Sequence, residues 1–252
     1  MMGFNHALCG AAAWTAVAAS APGFPSFGVL HVQPWAVLTG AVVCAGAALL
    51  PDADHHSATI ARSVPGGRAV AGAAGALSGG HRHGLHSLVA ALGVWFLSLW
   101  IGQLTCSVSW WEAPIQTGAA VAVAALICLA VKTLRLAGSW PRAWAIGIVV
   151  GAALALFLPS GAHWFAWCVT LGYGIHLLGD WLTAQGINWF WPLRIRAPSA
   201  VRRAPMLNRM WGRNGYFALP LLGTAGSWRE SVLGAALGLY ALVGIALSMF
   251  AR

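Results

Sequence analysis

Residues 172–183 read GYGIHLLGDWLT, and the fold turns on what His176 and Asp180 are doing there. The flanks, WFAWCVTL before and GINWFWPL after, are almost wholly apolar. Four residues apart on a helix, the two side chains share one face. An ionisable group inside a membrane segment costs several kcal/mol unless it is paired or ligated, and is a functional site by default. The pair is therefore either a buried hydrogen bond that serves the fold or half of a metal site.

The solvent comes from composition. Of 252 residues, 59% are hydrophobic and 8% are charged, with a mean hydropathy of +0.74. A soluble domain carries about a quarter charged residues. Apolar stretches at 85–104, 115–131, 143–158, 163–183 and 231–251 approach the ~20 residues of a spanning helix. Two weaker ones, 7–21 and 34–50, are rich in Ala and Gly. The reading is an all-α, polytopic integral membrane bundle of five to seven transmembrane helices, a single domain over 1–252. Stretch 7–21 has no basic residue before it and no small-residue cleavage site ahead of Pro22-Gly23. It is expected to be retained rather than removed as a signal peptide.

The net charge of +9 sits between the apolar stretches, where it sets orientation rather than nucleic-acid binding. Loops 51–84, 132–142 and 185–230 carry all the Lys and Arg except Arg252 at the far end, whereas 21–33, 105–114 and 159–162 carry none. The basic loops are thus expected on the cytoplasmic side of a bacterial inner membrane. Cys9, Cys44, Cys106, Cys128 and Cys168 stand singly and read as small apolar filler. Trp110, Trp111, Trp140, Trp189 and Trp191 cluster at segment ends, as an interfacial belt does. The Gly- and Ala-rich stretch 64–80 reads as a mobile loop or weakly helical connector. In the polar region 194–227, GYFALPLLG (215–223) is expected to dip into the membrane surface. GLHSL (84–88) and GIHLL (174–178) match over too short a length to make a repeat.

On this topology the polar residues collect at one face. LLPDADHHS (49–57) supplies Asp52, Asp54, His55 and His56, and GGHRHGLHSL (79–88) supplies His81, His83 and His86. His6 opens the first segment and Glu230 the last, so four of five acidic residues and seven of nine His share the cytoplasmic face. Only Glu112, His31 and His163 fall on the other. Singly, each has an ordinary reading. Asp52 or Asp54 caps a turn, and the His81–His86 group attracts lipid phosphate. Ser227 to Glu230 forms an S-x-x-E capping box, which for Glu230 is preferred over ligation. Together, imidazole and carboxylate from separate segments point to a divalent ion.

The same residues resemble a family. The order LLPDADH, HRHGLHS and GYGIHLLGDWLTAQGINWFWP is similar to the LexA-regulated, membrane-bound, predicted metal-dependent hydrolases of bacteria. Asp52, Asp54 and His55 match that family's P-D-x-D-H turn. His81, Arg82, His86 and Ser87 match its H-R-G-x-T-H-S box, with His83 in place of Gly and Leu85 in place of Thr. His176, Asp180, Thr183, Gly186, Trp191 and Pro192 match its third motif, and TAGSWRE (224–230) its late T-G-S-x-x-E element. More distantly, the family is similar to zinc-dependent phospholipases C and single-strand nucleases, which implies phosphoester hydrolysis.

The resulting expectation is a metal-dependent hydrolase of amphiphilic or phosphoester substrates, with membrane lipid as its surroundings. Asp52, Asp54, His55, His86, His176 and Asp180 would hold one or two divalent ions, zinc in the first place, with manganese or iron as alternatives. His6 and His81 are additional ligands. Asp54, His86 and Arg82 take the catalytic part, Arg82 either clamping a phosphate or serving as a plain positive-inside residue. Two rivals stay open: a metal-ion transporter, and a scaffold in which one metal staples helices together.

Overall fold

The computed structural model describes residues 1–19, 21–30, 32–109, 111–157, 164–212 and 215–250. The expectations placed on His31, Trp110, loop 159–162, His163 and Arg213 lie outside them. Among the described residues the regular structure is helical, with isolated β-bridges and no strand. The helices are α1 (Gly3–Ala18), α2 (Pro34–Ala47), α3 (Gly67–Leu77), α4 (Leu88–Gly102) and α5 (Thr117–Thr133). They continue with α6 (Trp140–Phe157), α7 (Trp164–Trp181), α8 (Ser199–Arg203), α9 (Pro205–Met210) and α10 (Trp228–Phe250).

Helices α1, α2 and α7 pack on one another at the centre; α10 lies on α1, α4 on α7, and α5 between α2 and α6. Small residues allow this closeness, as membrane helices require when lipid supplies no hydrophobic drive between them. A Cβ on Gly46 would stand 2.0 Å from the Leu126 carbonyl oxygen of α5, and one on Gly172 would stand 2.4 Å from that of Cys44 in α2. Gly46→Val is expected to force α2 off α5 and cost about 3 kcal/mol or more, read as a fall in the melting temperature in detergent. Gly72→Ala on exposed α3 meets nothing and is expected to hold or raise it. Equal melting of the two variants would refute the close-packed α2–α5 contact.

The exterior is apolar. Leu92, Phe96 and Trp100 on α4, Ile148 and Val149 on α6, and Leu239, Leu242 and Phe250 on α10 are all exposed. Patches of this extent mark a surface facing something other than water. By length and composition, two runs can cross a membrane, Pro34–Asp54 and Trp228–Phe250, and three shorter apolar helices stand beside them. The 15 residues of α4 rise about 22 Å, short of the ~30 Å hydrocarbon core. The count of five to seven spans is thus carried to two by the helices themselves.

Of the cysteines, Cys9, Cys44, Cys128 and Cys168 are buried and free, as filler should be, and Cys106 is exposed. Trp14 departs from the belt: it is fully buried between α1 and α2, and its indole N–H donates to the Ala36 carbonyl at 3.1 Å. The connector reading of 64–80 resolves into α3, which buries Gly67, Ala71 and Gly75 against the turns of 51–62. GYFALPLLG folds back on the end of α7. Ile187 and Phe217 exchange backbone hydrogen bonds of 3.0 and 2.9 Å, and Leu219 donates to the Trp181 carbonyl at 2.8 Å.

Candidate metal centre

Five pieces of chain meet at one end of the bundle: the start of α1, the 3-10 turn Pro51–Asp54, the HRH turn, the 3-10 turn Gly84–His86, and the last turn of α7. His6, His86, His176 and Asp180 are almost wholly buried there. The i, i+4 pair of the opening stretch does share one face, with His176 Nε2 3.7 Å from Asp180 Oδ2.

Around that pair, four electron-rich atoms converge. His86 Nε2 lies 3.2 Å from His176 Nε2, 3.8 Å from Asp52 Oδ1 and 3.6 Å from Asp180 Oδ2. His176 Nε2 lies 3.7 Å from Asp52 Oδ1. The His176 proton can be assigned from its partner. His176 Nδ1 donates to the Ala48 carbonyl at 2.7 Å, so in the neutral ring Nε2 carries the lone pair. His86 turns Nδ1 towards Asp54 Oδ2 at 3.5 Å without a hydrogen bond between them, and its Nε2 stands within hydrogen-bond reach of the His176 lone pair. Two imidazole nitrogens and two carboxylate oxygens at such separations repel unless a proton or a metal cation lies among them.

The donor set fits a divalent ion. Contacts of 3.2–3.8 Å taken as the edges of a tetrahedron correspond to ligand distances of about 2.0–2.3 Å, near those of zinc to nitrogen and oxygen. The wider cluster forms two abutting groups, His6 with His176 and Asp180, and Asp52 with His81 and His86, each with its donor atoms within 4.8 Å of one another. His6 and His176 stack with centroids 3.7 Å apart.

A supporting layer fixes these donors, as metal-ligating groups need. Asp54 sits behind the cluster: its Oδ1 takes a 2.8 Å hydrogen bond from His81 Nδ1 while Oδ2 faces His86. Asp180 Oδ1 is held by the Met1 amino group, by His6 Nε2 at 3.2 Å and by Arg82 Nη2 at 3.1 Å, which leaves Oδ2 for His86 and His176. Arg82 is buried and also donates to Thr183 Oγ1 and the Gly186 carbonyl. Its backbone is left-handed, φ +65°, a rare state for a non-glycine residue and one that recurs at functional sites. Arg82 thus clamps Asp180 while also lining the cavity beside the cluster. His55 lies at the rim with Nδ1 2.8 Å from Ser57 Oγ and its ring against His56 and His81. Its pKa is lowered by burial and then by those two rings, so it keeps a lone pair at neutral pH.

Two undecided residues find other partners. His83 pairs with Tyr216, Nδ1 2.8 Å from its hydroxyl. Glu230 is buried. It accepts from the Met2 backbone N–H at 2.5 Å, from Asn5 Nδ2 at 2.7 Å and from the Gly226 N–H at 2.8 Å. Its own N–H donates to Ser227 Oγ at 3.3 Å, so it caps α10 and ties it to α1. Asn5 went unread in the sequence; its only mark is its place beside His6. The Ala48 carbonyl left no sequence signal at all.

Fold and site together define an all-helical protein with an apolar exterior and a buried His/Asp cluster at one end. The family model described as YdjM inner membrane protein matches residues 1–252, and the chain belongs to that bacterial membrane family. No curated protein and no solved structure matches it. The family's description carries the membrane half of the expectation drawn from the motifs; of hydrolysis and LexA it says nothing.

Proposed function

We propose that the chain is an integral membrane metal-dependent hydrolase acting on phosphoester- or phospholipid-like substrates at the cytoplasmic face. The observation that carries this reading is the convergence of His86 Nε2, His176 Nε2, Asp52 Oδ1 and Asp180 Oδ2, with the His176 proton turned outward to the Ala48 carbonyl. A divalent ion held there, zinc or alternatively manganese or iron, supplies Lewis acidity and water of lowered pKa. His6, His81 and His55 are the additional ligands. The chain's own part is orientation: Asp54 aims His86 and His81, Ala48 aims His176, and Arg82 aims Asp180. Burial excludes solvent on the side of α1 and α7, whereas the Asp52 side chain keeps 22% exposure and opens the cluster to a cavity. That opening favours catalysis over a structural staple, which closes all its positions.

The test is hydrolysis of a panel of phosphodiesters and phospholipids by detergent-purified protein. Turnover should vanish with chelator, return with added metal, and fall in acid, where imidazole ligands protonate. A metal-loaded, folded protein silent across the panel would count for the staple.

The topology in this reading is that of a five- to seven-span bundle with 51–84 and 185–230 in the cytoplasm, from the Lys/Arg bias of the loops. On a Cys-free background, single cysteines in 185–230 should resist an impermeant thiol reagent in intact cells. Efficient labelling there would put the cluster on the opposite face.

A further inference from the structure

Beside the cluster lies a cavity of about 890 Å³ whose lining includes Asp52, His55, His81 and Arg82 of the cluster, and the further cations Arg62, Lys132 and Arg135. Arg62 comes from loop 51–84, and Lys132 and Arg135 from the last turn of α5 and the loop that follows it. The positive-inside bias accounts for their presence in those loops, but not for their convergence on one cavity. Among the described residues none of the three is ion-paired to a carboxylate. Arg62 donates to the Ser57 carbonyl, and Lys132 donates to that of Gly138 at 2.8 Å and lies 5.7 Å from the Trp140 ring centroid. Arg135 follows the end of α5 with φ +61°, at a position glycine usually fills. Despite that strain Arg135 is one of the residues that line the cavity.

Uncompensated cations around a concave site focus the field and raise the local concentration of anions. A monocarboxylate offsets only one of the three. A phosphate-type group has the charge and the acceptor oxygens to meet a guanidinium fork and an ammonium together. We infer that this cavity seats a phosphate-class anion of at least two negative charges, with Arg62, Lys132 and Arg135 as its binding wall and the His/Asp cluster as its floor. The inference deepens the hydrolase reading and rests on it for the fate of the bound group. Capture of the anion stands on the cavity alone. Phe4, Leu49 and Trp140 line the same cavity and give it an apolar margin beside the charged wall.

The experiment titrates inorganic pyrophosphate into detergent-purified protein by calorimetry, comparing the parent with Arg62→Gln, Lys132→Gln, Arg135→Gln and the triple variant. Each single change is expected to weaken binding about tenfold, and the triple to abolish it. Metal content and melting temperature should hold, because the hydrogen bonds of these side chains go to carbonyls outside the cluster. Micelles carrying phosphatidic acid, set against micelles carrying phosphatidylcholine, separate the sources. Competition with pyrophosphate marks a lipid headgroup, and its absence marks a soluble phosphate compound. A triple variant that binds pyrophosphate as the parent does, or a parent that does not bind it, overturns the inference. Absence of metal from parent and variants alike would instead remove the hydrolase reading and leave the anion result standing.

Discussion

Purified Asp180→Ala and His176→Ala proteins are expected to lose most of their zinc, manganese or iron, the parent retaining it through gel filtration. Each residue supplies one donor atom to the central four, His176 through Nε2 and Asp180 through Oδ2. The two variants should differ in stability. Asp180→Ala strands the buried Arg82 guanidinium, and breaking a buried ion pair costs about 3–5 kcal/mol. His176→Ala removes a ring stacked on His6 and leaves a cavity but no unpaired charge. Asp180→Asn keeps the shape and a carbonyl oxygen for Arg82, and should lose metal with less loss of folding. His83→Ala is the control: its ring is engaged by Tyr216, and metal content should match the parent. Elemental analysis decides the matter. Parent-level metal in both His176→Ala and Asp180→Ala would mean that the cluster is a hydrogen-bonded core and holds no ion.

What the sequence disclosed and what it hid follow from the kind of interaction involved. His176 and Asp180 were legible because helical spacing is local and an ionisable pair in an apolar stretch has few excuses. Asp52 and Asp54 were legible as a pair but not in their division of labour. Two residues apart in one tight turn, one faces His86 and His176 and the other His81 and the back of His86. Only the three-dimensional turn separates them. The same holds for His81 and His83, which flank a left-handed Arg82 and point to different partners. Arg82 was legible as a cation near the site, whereas its attachment to Asp180, Thr183 and Gly186 depends on pairings about a hundred residues apart. The number of spans was less legible than the fold class, because α4 and α5 fall short of a full bilayer crossing and their apolarity alone does not state how deep they sit.

That division of labour sets the most informative test of chemistry. Asp54→Asn keeps the shape and should keep the ion, because Asp54 reaches the cluster only through His86 and His81. It removes the carboxylate that His86 Nδ1 faces at 3.5 Å, and changes behind a ligand cost about 10–100-fold in affinity or activity. Asp52→Asn acts on the cluster itself, at the one carboxylate that both faces His86 and His176 and opens to the cavity. Its turnover should fall beyond the range of Asp54→Asn even at saturating metal. Folding should be little changed, since the Asp52 side chain is the most exposed of the four central donors. Measured together at saturating metal, turnover and melting temperature distinguish the readings. A hydrolase gives a steep drop in turnover with a nearly constant melting temperature for Asp52→Asn, and a smaller drop for Asp54→Asn. A staple gives the reverse signature, melting temperature falling with metal occupancy and no turnover to lose. If Asp54→Asn proves the more damaging to turnover at full metal occupancy, Asp54 rather than Asp52 acts directly on the substrate, and the assignment of the two carboxylates must be exchanged.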